Sequence, residues 1–148
     1  MIRPATPADV PTPRAMLQAL SDHDGGKPVG SEASLLHHGF GPRPLYSALI
    51  AGEPPQGMVI YYPDFSTHRG EPGVYVQDIY VDPAARGSGM AQALLAAVMR
   101  HQTWGARYMT LGISPDNLVA NRFYTRLGFR HRGYDFLILD GDNLKALP

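Results

Sequence analysis

The run VYVQDIYV, Val74 to Val81, is followed at once by DPAARGSG and then by a long alanine- and leucine-rich stretch that begins at Met90. No other part of the chain limits the fold as strongly. The first run is rich in β-branched and aromatic residues, which suit a strand. Its apolar residues do not alternate cleanly, so it predicts a central strand covered on both faces. The last stretch, to about Gln102, sets Met90, Leu94, Leu95, Val98 and Met99 on one stripe at helical spacing. Strand, short glycine-bearing turn and amphipathic helix together imply an α/β domain.

The remaining pattern fits one such domain over residues 1–148. Ile2 to Pro4 reads as a short strand, and Thr6 caps a helix start with Pro7 in first position. Pro11 and Pro13 predict a broken first turn, then a helix from Pro13 to Asp22 capped by Thr12. His23 to Ser31 is a loop, and Ser31 caps a short helix through His37. Strands are expected over Leu45–Ala51, Gly57–Tyr62, Tyr108–Ile113 and Tyr134–Leu139. A helix is expected over Asp116–Leu127, stopped by Gly128. No repeat or linker divides the chain.

Composition narrows the function classes. The 13 basic and 13 acidic residues leave a formal net charge of zero, which argues against a nucleic-acid partner. Cysteine is absent, so disulfides, thiolate zinc sites and a cysteine nucleophile are excluded. No apolar run approaches the roughly 18 residues of a membrane span, and Met1-Ile2-Arg3-Pro4 does not begin a signal segment. The expectation is a soluble, cytoplasmic domain without a membrane partner. His37-His38 reads as a surface pair rather than a metal site. Asp140 to Asn143 lacks the full spacing of a calcium loop and reads as a turn and helix cap.

The turn before the long helix is suited to an anion. A helix N-terminus carries unpaired N–H groups and the positive end of the dipole. Gly87 and Gly89 allow close backbone approach, and Arg86 adds a full charge. A plain strand-to-helix turn with a surface arginine is the alternative. The dinucleotide fingerprint fails at Gln92, and the Gly-Lys-Ser/Thr of a P-loop is absent.

A second motif follows in order. Asn117, Ala120 and Tyr124 fall on one side of the next helix, which closes with Arg126-Leu127-Gly128-Phe129. Arg-x-x-Gly-x-Ala (Arg86, Gly89, Ala91) followed by Asn-x-x-Ala-x-x-x-Tyr-x-x-x-Gly-Phe resembles the GNAT N-acetyltransferases. The segments LLHHGFGPRPLYSALIAG, GMVIYY, VQDIYV and GYDFLILDGDNLKAL are similar to the diamine (polyamine) and thialysine acetyltransferase branch, over nearly the whole chain. The resemblance implies the GNAT fold, an α+β sandwich. Its central mixed, mostly antiparallel sheet would have six to seven strands, flanked by about four helices.

It also implies acetyl-CoA as donor, a small-molecule amine as acceptor and a homodimer. By motif, Arg86, Gly87, Ser88, Gly89, Met90 and Ala91 would hold the pyrophosphate. Ile79, Tyr80 and Val81 would pair through backbone with the pantetheine arm, and Asn117 and Ala120 would line its far side. Tyr124 matches the family's general acid, which protonates the leaving thiolate. An exposed backbone N–H of the central strand would stabilise the oxyanion.

Two positions depart from the polyamine pattern. Gln77 stands where that branch carries glutamate, beside Asp78, and Arg132 stands where an acid precedes an aromatic, here Tyr134. Gln77 cannot act as a base. Asp78 reads either as an ammonium-binding or proton-relaying carboxylate or as a structural one. His23, Asp22 and Asp24 fall where the family's substrate loop lies, or simply in a solvated loop. A cationic Arg132 in the pocket would repel a polycation. Both departures favour a smaller amine that also bears an acid, such as a lysine-like amino acid. An acetyl-CoA-binding regulatory module and a protein or peptide N-acetyltransferase are the alternative readings.

Overall fold

Strands β3 (Gly57–Ser66) and β4 (Glu71–Val81) form the long hairpin on which the rest is built, in a computed structural model that describes residues 1–148. Their register runs from Ser66 opposite Glu71 to Gly57 opposite Val81, with the turn between closed by Gly70 N–H donating to Ser66 O at 2.8 Å. β1 (Ile2–Pro4) and β2 (Ser47–Ala51) extend the sheet on one side, and β5 (Met109–Leu111) on the other. The order is β1-β2-β3-β4-β5, antiparallel throughout except for the parallel β4–β5 pair.

The helices are α1 (Pro11–His23), α2 (Glu32–Phe40), α3 (Met90–His101), α4 (Leu118–Arg126) and α5 (Gly141–Lys145). The chain divides into two compact units, Met1–Gly112 and Ile113–Pro148. The first holds the sheet with α1–α3. Both faces of its central strands are covered. Met16, Ala48, Met58 and Ile60 cluster on one face with Leu17, Leu20 and Tyr80, beneath α1. On the other face, Leu94 of α3 lies against Gly57. Leu94, Val98, Leu49 and Val59 are fully buried, and each large apolar side chain so buried contributes about 1.5–3 kcal/mol. The second unit holds α4 and α5, and neither helix has a fully buried residue.

Several expectations are corrected. The sheet has five strands, not six to seven, and five α-helices accompany it, not four. Tyr134–Leu139 is not a strand, and Leu137 is 96% and Ile138 85% exposed. The aromatic and apolar residues of this run supply propensity, but a strand exists only where a ladder partner accepts its hydrogen bonds. Pro11 and Pro13 do not delay α1, which starts at Pro11 with Val10 as cap. The first turn's N–H groups have no intrahelical acceptor, so proline costs nothing there. A separate 3-10 turn, Pro7–Asp9, precedes it. β3 and β4 reach farther than expected, to Ser66 and back to Glu71. The serine cap of α2 holds: Ser34 N–H donates to Ser31 Oγ at 3.0 Å.

Candidate active site

The site in the first unit begins where β4 outruns its neighbour. β5 pairs only with Val74, Tyr75 and Val76, whereas β3 stays paired to Val81. From Gln77 onward, β4 therefore keeps one edge without a strand beside it. Ile79, Tyr80 and Val81 lie on this stretch. Tyr80 packs toward the α1 face, while Ile79 and Val81 stand opposite Val59 and Gly57.

A bulge breaks the β3–β4 ladder. Ile60 stands opposite Asp78 and the next residue, Tyr61, opposite Val76, so Gln77 is the extra residue. A bulge of this kind re-aims side chains and increases local twist. Gln77 is exposed, and its Oε1 accepts from the Tyr62 hydroxyl at 2.9 Å. Asp78 is half-buried, and that burial raises its carboxyl pKa above the ordinary value. Tyr62 stacks on Tyr75 with ring centroids 5.2 Å apart. Sequence reasoning missed Tyr62, because only the pairing register brings it to Gln77.

Past Val81 the chain makes a tight turn. Asp82 Oδ1 accepts from Ala84 N–H at 2.9 Å and Asp82 O from Ala85 N–H at 2.8 Å, closing a 3-10 turn over Pro83–Ala85. Arg86 Nε donates back to Val81 O at 3.2 Å, and Ser88 Oγ donates to Ala85 O at 2.5 Å. Gly87 and Gly89 take φ values of 80° and 83°, the left-handed region glycine favours. Gly89 caps α3 without a side-chain hydrogen bond. A Cβ at either glycine would meet no atom within 4 Å, so the space above the turn is open. The first intrahelical bond runs from Ala93 N–H to Gly89 O at 3.0 Å. The amides of Met90 and Ala91 thus head the helix, with the positive dipole end behind them. The Met90 side chain is held elsewhere, with its sulfur over Gly57. An open turn with two left-handed glycines, exposed amides and a neighbouring guanidinium fits a phosphate-bearing ligand.

In the second unit, Asn117 is the cap of α4, its Oδ1 accepting from Ala120 N–H at 3.1 Å. Asn121 Nδ2 donates to Asn117 O at 3.0 Å and to Ser114 O at 3.3 Å, bracing the same turn. The helix ends in paired bonds from Gly128 N–H to Thr125 O and from Phe129 N–H to Tyr124 O, each 3.0 Å, with Gly128 at φ 98°. This stop folds Phe129 back onto Tyr124, edge to face at 5.2 Å, and Phe123 lies 5.1 Å from the same ring. Burial raises the Tyr124 phenol pKa above its ordinary value. Arg132 is exposed, with its guanidinium 5.0 Å from the Tyr134 ring centroid. No group of three or more histidine, aspartate or glutamate side chains forms a metal cluster, and no helix is long and apolar enough to cross a membrane.

Comparison with known proteins shows the family to which the chain belongs. Residues 14–129 match the acetyltransferase (GNAT) family. The chain is 32% identical to the thialysine N-epsilon-acetyltransferase of Bos taurus, over 99% of this chain and 96% of that protein. It is 39% identical to an aminoglycoside N(6')-acetyltransferase type 1 of Salmonella typhimurium, over 39% of this chain and 41% of that one. Among solved structures, an integron cassette protein from V. cholerae superposes with a TM-score of 0.79 at 18% identity. That match covers 98% of this chain and 94% of the other, and shows the shared fold. The protein is therefore an acetyltransferase of the GNAT family.

Proposed function

We propose that the protein uses acetyl-CoA to acetylate the primary amine of a small metabolite by direct attack. One observation carries this reading: β4 keeps an open edge from Gln77 to Val81 and leads, through the Pro83–Ala85 turn, to Gly87–Gly89 at the head of α3. Arg86 to Ala91 would hold the pyrophosphate through backbone amides and the arginine charge. Ile79, Tyr80 and Val81 would take the pantetheine amides along the open edge. By motif, the capping residue Asn117 and Ala120 would also serve the acetyl-CoA arm. The family match spans residues on both sides of Gly112, which supports one working domain over 1–148.

Acetyl-CoA supplies a thioester whose carbonyl carbon takes the amine, so that a C–N bond forms and the C–S bond breaks. The residues handle protons and charge. Asp78, a half-buried carboxylate with a raised pKa, draws the incoming ammonium and relays its proton to water. A free N–H on the open edge of β4 stabilises the developing oxyanion. Tyr124, a phenol neutral at physiological pH, gives its proton to the departing thiolate. We further propose a cytoplasmic homodimer in which the exposed apolar segment from Tyr134 to Leu139 packs against a second copy.

Thiol release from acetyl-CoA across polyamines, amino acids, aminoglycosides and peptides tests the reaction. Turnover should concentrate on small primary amines. Tyr124→Phe should bind acetyl-CoA normally yet lose about 10²–10⁴ in kcat, with little change in KM. Full activity in Tyr124→Phe removes it as the acid. Turnover confined to peptides replaces the metabolite with a protein acceptor.

A further inference from the structure

Alternation along β4 sends Tyr75 and Gln77 to one face. The bulge turns Asp78 to that face as well, because it stands opposite Ile60, whose side chain belongs to the core under α1. Tyr62 reaches the same patch from β3, stacked on Tyr75 and bonded to Gln77 Oε1 at 2.9 Å. A primary amide has one acceptor oxygen and two N–H donors. The bond from Tyr62 takes one of the two lone pairs of Oε1 and turns that oxygen toward Tyr62, so Nε2 is the end of the amide directed away from it and gives a ligand two N–H donors. Those donors suit an oxygen and disfavour an ammonium.

Asp78, the next residue, offers the opposite chemistry. Adjacent Cα atoms are about 3.8 Å apart, so one short ligand can meet both side chains. Tyr62 is suited to hold the amide in place. Burial, and then the charges at Tyr75, Asp64 and Asp78, raise its pKa, which keeps the phenol a donor at neutral pH. Gln77 is exposed and thus reachable.

We propose that Tyr62 fixes Gln77 as an oxygen-reading subsite beside Asp78, so that the preferred acceptor is a short primary amine bearing a carboxylate, carbonyl or hydroxyl oxygen rather than a second ammonium. The inference rests on the acetyl-transfer reading above and names the acceptor class for that site. Gln77 contacts the acceptor, and Tyr62 is a positioning residue acting through it.

The test uses 4-aminobutanoate, 4-amino-1-butanol and putrescine, which share a butyl chain and an amine and differ in the far group. Thiol release gives kcat/KM for each with the wild type, Tyr62→Phe and Gln77→Glu. The wild type should favour 4-aminobutanoate over putrescine by about tenfold or more, the ratio a hydrogen bond to a charged group supports, and 4-amino-1-butanol over putrescine by about threefold or more, the ratio a neutral one supports. Gln77→Glu should invert that order, more so at low salt. Tyr62→Phe should shrink the preference at least about threefold, through KM, as the amide becomes free to turn. A merely structural Tyr62 would instead slow all three amines alike. Equal wild-type values, a wild-type preference for putrescine, or an unchanged order in Gln77→Glu overturns the proposal. Turnover of other amines but none of these three also overturns it and leaves the acetyl-transfer reading standing. No thiol release with any amine, together with no thermal shift by acetyl-CoA, overturns both.

Discussion

Asp9 shows how much one side chain can organise at the entry to α1. Its carboxylate accepts from Arg3 Nη1 and Nη2 at 2.7 and 2.9 Å, from Thr6 N–H at 2.7 Å and from the Thr6 hydroxyl at 3.0 Å. The Arg3 hydrogen bonds, followed by that from the Thr6 backbone, hold its pKa well below the ordinary 3.8. A depressed folded pKa means that the stabilisation is present above 3.8 and is lost as pH falls toward the folded value. Asp9→Asn should therefore melt a few degrees lower than wild type at neutral pH, with the gap closing in acid. Thermal scans of both proteins across pH check this, and a gap independent of pH would contradict it. Asp78 runs the other way. Burial raises its pKa, so its contribution to stability falls as pH rises from 3.8 through the raised value.

At the scale of elements, the start of α3 joins folding to binding. Gly89 is in the left-handed region with open space where a Cβ would go. Alanine there meets no clash, so its cost is backbone strain alone, about 1–2 kcal/mol. Gly89→Ala should lower the melting temperature and also weaken stabilisation by acetyl-CoA, because the turn that presents the amides shifts. Arg86→Glu should separate the two effects. Its side chain makes one hydrogen bond, to Val81 O at 3.2 Å, so the free protein should melt almost as wild type does. Charge repulsion should nonetheless abolish most of the thermal shift at millimolar acetyl-CoA. A full shift in Arg86→Glu would remove this turn from pyrophosphate binding.

For the whole molecule, the exposed run from Tyr134 to Leu139 is the feature that a partner copy would explain. Phe136, Leu137 and Ile138 are all exposed, and a run of this kind is an interaction surface or a liability. Light scattering should give about twice the 16.1 kDa of one chain. Leu137→Asp combined with Ile138→Asp should shift the mass to the monomer, and a wild-type monomer would contradict the homodimer. The same run marks where sequence reading stopped. Period and composition identified β4, α3, the α4 motif and the glycine turn, because residues close in the chain fix a strand, a helical stripe and a positive φ. Resemblance added the family from those same residues. Tyr134–Leu139 has the propensity of a strand, yet a ladder needs a partner that no local pattern can supply. The bulge at Gln77 and its bond to Tyr62 escaped for the same reason. Both follow from how β3 and β4 align across the hairpin, and only the folded sheet sets that register.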